Sequence, residues 1–326
     1  MKNTAEKIKI LVSLFSIVCL AGFAAGGVST DESIAIVQSA ASEKPKEAFK
    51  IATFNVRCSN LGDLGEKAWY RRMPDVAEVV RNRGFDVFGV QEMKPESALI
   101  MRMELPEFAR VGCGREKGRT GEAMYIYYAT NRFECLESGT FWLSETPDEP
   151  GSRYTGAACP RTCTWALLAD RLTGKRFRYF NTHLDHVSSK ARWNGMNVLL
   201  ERGVRPALAR GEKVILTGDL NETLDKADDP DSIARMNGPQ LDASSRENPI
   251  ALVSTVLKDS IAVSETGHRG TFRTFNGYHI EPKCRIDYVF VSDGDFRVLE
   301  HETINDRPNG RLPSDHYPVS ATVLMK

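Results

Sequence analysis

Four apolar runs in this chain end on polar residues able to do chemistry, and this pattern limits the fold more than any other feature. FKIATFN ends at Asn55, FDVFGVQE at Gln91-Glu92, KRFRYFNTH at Asn181-Thr182-His183, and EKVILTGDLN at Asp219 and Asn221. The run CRIDYVF carries Asp287, and Asp315-His316 stand just before YPVSATV. One such ending is an ordinary turn, because Gly, Asp and Asn are common where strands stop. Repeated along the chain, it points to buried strands of a layered α/β fold that bring their ends to one rim, where a ligand site can converge.

The intervening segments fit that reading. WYRRMPDVAEVVRNR, 69–83, places Met73, Val76, Ala77 and Val80 on one helical face, with Pro74 expected in the first turn and Gly84 closing the helix. EAMYIYYAT (122–130) and FWL (141–143) read as strands, and CTWALLAD and KRFRYFNTH as a hairpin around Thr173-Gly174. Residues 188–208 have the pattern of one long helix capped by a serine. DKADDPDSIARM has room for a short helix and leads into a loop through Pro249; TFRTF (271–275) and YPVSATVLM read as strands. No stretch within 49–326 has the composition of a linker between domains.

The N-terminus is a separate matter. Lysines precede the apolar run LVSLFSIVCLAGFAA, the layout of a signal peptide over residues 1–25. The alternatives are a membrane anchor or, through Cys19, a lipoprotein. Residues 26–47 read as a flexible linker and 48–326 as the folded domain, exported to the periplasm or the medium. Removing residues 1–25, which carry Lys2, Lys7 and Lys9 against Glu6, takes the formal charge from zero to about −2. That leaves no basic surplus of the kind that drives tight non-specific binding to duplex nucleic acid. The six cysteines beyond residue 25 lack zinc-site spacing and read as structural thiols or one or two disulfides.

Glu92, Asp219 and Asp315 are hard oxygen ligands suited to magnesium or manganese. Asn55 and Asn221 offer neutral oxygens and amide donors. His183 and His316 can share charge with a phosphate or exchange protons. Hydrolysis of a phosphate ester needs a cation to neutralise oxygens and a base to align water, and this set supplies both.

In that order, the motifs FNVR, GVQE, NTHLDH, LTGDLN, RIDYVF and SDHYPV over residues 49–325 resemble the endonuclease/exonuclease/phosphatase superfamily. That group includes pancreatic-type deoxyribonucleases, abasic-site endonucleases, deadenylases, sphingomyelinases and inositol polyphosphate 5-phosphatases. The resemblance implies a four-layer α/β sandwich, two mixed β-sheets packed face to face with helices outside. It implies Mg2+ (or Mn2+) held by Glu92 and Asp315 with Asn55 nearby, catalysis by His183, Asp219, Asn221, Asp287 and His316, and Asp287 holding the far nitrogen of His316. Arg161 joins Asn221 and His183 as a contact to substrate phosphate, with a surface salt bridge as the alternative. Trp142, Arg269, Arg273 and Phe275 are candidates for a substrate loop. The implied activity is that of a monomeric metal-dependent phosphoesterase, foremost a phosphodiesterase or nuclease taking a nucleic acid or oligonucleotide. A lipid or sugar phosphodiesterase or phosphatase is the alternative, and an inactive phosphate-binding module is the reading from another class.

Overall fold

The computed structural model describes residues 44–224, 247–279 and 281–326. The proposed signal segment and the acidic stretch 225–236 lie outside them. Among the described residues the strands are β1 (Phe49–Asn55), β2 (Val87–Gln91), β3 (Phe108–Val111), β4 (Ile126–Ala129), β5 (Phe133–Trp142), β6 (Thr162–Asp170), β7 (Arg176–His183), β8 (Lys213–Asp219), β9 (Leu257–Asp259), β10 (His268–Arg269), β11 (Asp287–Ser292), β12 (Phe296–Thr303) and β13 (Val319–Met325). They form a seven-stranded sheet, β10-β12-β13-β1-β2-β4-β3, and a six-stranded sheet, β5-β6-β7-β8-β11-β9. Both are mixed: β1 pairs parallel with β2 and antiparallel with β13, and β8 pairs parallel with β7 and antiparallel with β11.

Three apolar clusters separate four layers. One lies between the sheets, with Ile51, Val87, Tyr179, Ile215, Val289 and Val319. A second covers the outer face of the seven-stranded sheet with the helices α1 (Trp69–Arg83) and α2 (Pro95–Glu104). The third covers the six-stranded sheet with α3 (Ser189–Leu199), α4 (Arg205–Ala209) and α5 (Pro249–Ser254). The four-layer α/β sandwich implied by the motifs is the fold observed.

The space between the sheets turns polar towards the ends of the strands. Asn181 donates to the Val90 and Tyr125 carbonyls at 2.8 and 3.0 Å, and Gln91 reaches Asn181 Oδ1 at 2.7 Å and Thr53 Oγ1 at 3.0 Å. Gly89 lets this network close. A Cβ there would overlap the Asn181 amide and lie 2.6 Å from Thr217 Oγ1. Gly89→Ala therefore lowers stability by about 1–3 kcal/mol in denaturant melts, the ordinary cost of overpacking. An unchanged midpoint would show that the sheets separate freely at this point.

Several sequence expectations are corrected. Pro74 is the sixth residue of α1, not in its first turn. It removes the amide that would pair with the Tyr70 carbonyl, and Tyr70 is exposed, so water can take that place. The helix over 188–208 is interrupted by a π turn at Leu200–Val204, where Arg205 N–H bonds the Leu200 carbonyl immediately before Pro206, which has no amide to donate. Ser188 caps α3 by accepting from Ala191 N at 3.1 Å, as expected. FWL is only the end of β5, whose middle residues face solvent and hide the strand in the sequence. Pro249 begins α5 rather than lying in a loop, with Asn248 as its cap. TFRTF forms no strand: Thr274–Gly277 is laced between Lys283–Cys284 and Asp315–Tyr317 by single backbone bonds. No disulfide joins Cys58, Cys113, Cys135, Cys159, Cys163 or Cys284.

Candidate active site

Strand register assembles the site. His183 on β7, Asp219 on β8 and Asp287 on β11 are register partners, so three functional side chains form a row across the end of the six-stranded sheet. Asn55 on β1 and Gln91 on β2 hold the equivalent place in the other sheet. The strand β8 runs through Asp219, one residue beyond Gly218, and Leu220 is buried in the outer core while Asn221 returns to the site. Glu92 and Asn221 both leave their strands with positive φ, 62° and 49°, a conformation that non-glycine residues adopt at some cost and that collects at functional sites.

Asn55 is the strut between the sheets. Its Nδ2 donates to Glu92 Oε1 at 3.0 Å and to Asp219 Oδ2 at 2.9 Å, while its Oδ1 accepts from Arg57 N at 3.0 Å. It thus turns amide hydrogens, not an oxygen, towards Glu92. The second Glu92 oxygen accepts from Cys58 N at 3.0 Å. Asp219 Oδ1 accepts from Asn221 N at 2.9 Å. Asn221 Nδ2 donates to His183 Nε2 at 2.9 Å and to the Leu184 carbonyl at 3.1 Å, so the neutral His183 ring carries its proton on Nδ1, which is buried without a partner. His316 Nδ1 meets Asp287 Oδ2 at 2.9 Å, and its Nε2 stands 3.8 Å from Asp219 Oδ2.

The charges follow from this geometry. Burial opposes the His316 imidazolium, but Asp287, its hydrogen bond, Asp219 and Asp315 together outweigh it and raise the group to about 10. Burial and then the Asp287 charge push the Asp219 carboxyl up to about 7, against His316 and the Asn55 hydrogen bond. Burial, followed by the Arg161 and Arg115 charges, keeps His183 neutral, so its 3.4 Å approach to Asp219 is not an ion pair. Glu92 is depressed: burial works to raise it, but the bonds from Asn55 and Cys58 and the charges of His316 and Arg161 prevail.

These residues border an open cavity of about 470 Å³, lined on the remaining sides by Arg115, Glu122, Cys159, Arg161, His186, Phe275 and Ile286. Glu92, His183, Asp219, Asn221, Asp315 and His316 all line it. Arg161 is buried, donates to His186 Nδ1 at 2.8 Å, and leaves Nε and Nη1 without hydrogen-bond partners. Phe275 also lines the cavity, its ring 5.0 Å from that of His316. The other substrate-loop candidates lie elsewhere. Trp142 is buried with its indole N–H on the Arg115 carbonyl at 2.6 Å, Arg269 on β10 pairs with Glu302 and Glu300, and Arg273 is an exposed residue bonding the Pro282 carbonyl at 3.4 Å.

Three supporting residues had no role assigned from the sequence: Arg57 and Ser314, which lie within the motifs FNVR and SDHYPV, and Arg72, which lies outside them. Arg57 bridges Asp63 at 2.6 and 2.9 Å and Asp315 at 2.6 Å. Arg72, fully buried on α1, donates to the carbonyls of Val56, Arg57, Cys58, Lys67 and Pro313, which fixes both loops that enter the site. A cation between apolar residues of a helical stripe was the available signal. Ser314 Oγ donates to the Asn55 carbonyl at 2.7 Å.

Two groups have ligand atoms close enough to share a metal ion: Asp219, Asp287 and His316, and away from them Cys159, Asp185 and His186. The second already holds the Arg161 guanidinium, 2.8 Å from His186 and 3.9 Å from Asp185. In the first, Asp287 holds His316 as an imidazolium, which cannot ligate a cation, so the donors left facing the cavity are the Asp219 and Asp315 carboxylates. Together with the depressed Glu92, this is an oxygen-rich, electron-rich setting that fits a hard divalent cation.

The model of the endonuclease/exonuclease/phosphatase family matches residues 52–316. No curated protein matches the chain. An endonuclease/exonuclease/phosphatase family protein from Bacteroides thetaiotaomicron is 32% identical, with 86% of this chain and 98% of that one covered at a TM-score of 0.72. A mannosyl-6-phosphatase from Bacteroides thetaiotaomicron VPI-5482 is 31% identical over 85% of this chain and 100% of that one, also at 0.72. An endonuclease/exonuclease/phosphatase from Bacteroides vulgatus is 30% identical over 86% and 100%, at 0.74.

Proposed function

The chain belongs to the endonuclease/exonuclease/phosphatase family, and from that premise we propose that it hydrolyses a small phosphate ester, a sugar phosphate foremost, with a divalent cation. The observation that carries this is the Asp219–His316–Asp287 arrangement in a cavity sized for a small ligand. The absence of a basic surplus and the 31% identity to a mannosyl-6-phosphatase set the sugar phosphate above a nucleic acid strand.

In this reading Asp219 takes a proton from water as the water oxygen bonds to phosphorus, and the ester P–O bond breaks. The His316 imidazolium, held by Asp287, faces the charge that gathers on the phosphoryl oxygens. Arg161 and His183 orient those oxygens, with the unpartnered Arg161 N–H groups and His183 Nδ1 as donors, while Asn221 spends its two amide hydrogens on His183 Nε2 and the Leu184 carbonyl and so sets the His183 tautomer. The departing alkoxide is protonated from solvent. Magnesium or manganese, bound by Glu92 and Asp315 with Asn55 bracing Glu92, would neutralise phosphoryl charge. We also take residues 1–25 as an export signal. No helix among the described residues is long and apolar enough to cross a membrane.

The test is phosphate release from mannose 6-phosphate, p-nitrophenyl phosphate and a single-stranded oligonucleotide, with Mg2+ and with chelator. Mannose 6-phosphate is turned over only with the ion, and Mg2+ raises the melting temperature of the parent by a few degrees (about 2.7 kcal/mol at a hundredfold excess over Kd) but not that of Glu92→Gln. Cleavage of the oligonucleotide alone would replace the sugar phosphate with a nucleic acid; hydrolysis undiminished by chelator would remove the metal.

A further inference from the structure

The cavity wall that the phosphoryl chemistry leaves unused has a chemistry of its own. It is built on the hairpin 113–123, held by backbone bonds Gly114 N to Arg119 O at 3.0 Å, Glu116 N to Thr120 O at 3.1 Å and Arg115 N to Glu122 O at 2.9 Å. The Trp142 indole fixes the Arg115 carbonyl from one side, and Ala123 N bonds the Met93 carbonyl at 2.9 Å, which sets Glu122 beside the Glu92 segment. Arg115 Nη1 and Glu122 Oε2 then lie 2.8 Å apart at the cavity surface, while Arg115 Nε is ion-paired with Glu116 Oε1 at 3.5 Å without a hydrogen bond.

From this placement we infer that the Arg115–Glu122 pair reads hydroxyl groups of the alcohol half of the substrate, and so specifies a sugar; this rests on the phosphoester reading above. Charge decides between the candidate ligands. Arg115 faces Glu122 and Glu116, and Arg161 faces Asp185 at 3.9 Å, so two guanidinium groups stand against three carboxylates. A second phosphate finds no surplus positive charge there. A hydroxyl both donates and accepts, and a fixed N–H beside a fixed carboxylate satisfies both halves of it. Phe275 and Ile286, also on the cavity, give an apolar surface for the C–H face of a sugar ring. A plain alkyl or aryl alcohol offers nothing to these half-buried polar groups, which is how a site built for hydroxyls rejects its analogues.

The experiment compares kcat/KM for a hexose phosphate and for p-nitrophenyl phosphate, with Mg2+, in the parent and in Glu122→Gln, Glu122→Ala, Arg115→Lys and Arg115→Ala. Melting curves restrict the comparison to folded variants, and the near-isosteric Glu122→Gln retains the shape of the wall. The ratio of the hexose ester to the aryl ester falls about tenfold or more in each variant, the value of a lost hydrogen bond to a charged group. Equal losses on both esters would overturn the inference and leave a merely structural pair. A parent active on the aryl ester but on no hexose phosphate would also overturn it while sparing the hydrolase reading. A parent inactive on every ester removes the hydrolase reading, and the inference with it.

Discussion

Asp219→Asn lowers kcat on any phosphate ester that the protein hydrolyses by about 10²- to 10⁴-fold, the range for a lost general base. The amide cannot take a proton from water, yet it can still accept from Asn55, so the scaffold persists. Stability moves the other way. Burial and Asp287 raise the folded-state group to about 7, above the ~3.9 of an unfolded aspartate. A raised acid contributes most to stability when protonated; that contribution is lost as pH climbs from about 4 to about 7, and above this the ionised group burdens the fold. The metal-free variant therefore melts at or above the parent temperature at pH 8. Steady-state kinetics with paired melts check both. A kcat loss below tenfold would remove Asp219 as the base.

His316→Ala costs about 10²- to 10³-fold in kcat, the usual range for removing one donor from developing oxyanion charge. Asp287→Asn separates positioning from charge. In the parent the imidazolium persists to about pH 10, because Asp287, Asp219 and Asp315 overcome the burial that opposes it. Activity that depends on it holds below that pH and falls above it. Without the Asp287 charge the alkaline limb of kcat/KM moves to lower pH. The stability sign agrees: a group raised above its unfolded value of ~6.5 contributes fully below that pH and loses its contribution by about 10. An alkaline limb that stays in place in Asp287→Asn would show that the proton on His316 is not what the reaction needs.

The parts of this architecture legible in the sequence were those set by local pattern. Asn55, His183, Asp219 and Asp287 end or begin buried strands, and the alternation that marks such strands also marks where they stop. The face of α1 was readable for the same reason. What could not be read depended on partners remote in sequence. Arg115 and Glu122 meet because a hairpin is pinned by Trp142, and no spacing announces that. TFRTF alternates as a strand should, yet its Thr274 and Phe275 amides both go to the Cys284 carbonyl and the next two, of Asn276 and Gly277, to that of Asp315, so no ladder forms. The middle of β5 is exposed and lacks the apolar signature that reveals its end. Trp142 shows the opposite error: an aromatic residue near polar loops suggests a ligand surface, but burial of its ring and pairing of its N–H make it a brace.

The place of β13 in the middle of the seven-stranded sheet has a consequence for how the protein is made. It lies between β12 and β1, and Ser314, just ahead of it, ties the Asn55 carbonyl across 259 positions of sequence. At ribosomal rates β1 waits roughly 13–50 s for that partner. A chain still being translated holds Asn55 and Glu92 but has neither Asp315 nor His316 to set beside them. On the proposed reading, the nascent polypeptide cannot yet hydrolyse a phosphate ester, because the site is incomplete until Asp315, His316 and β13 have been made.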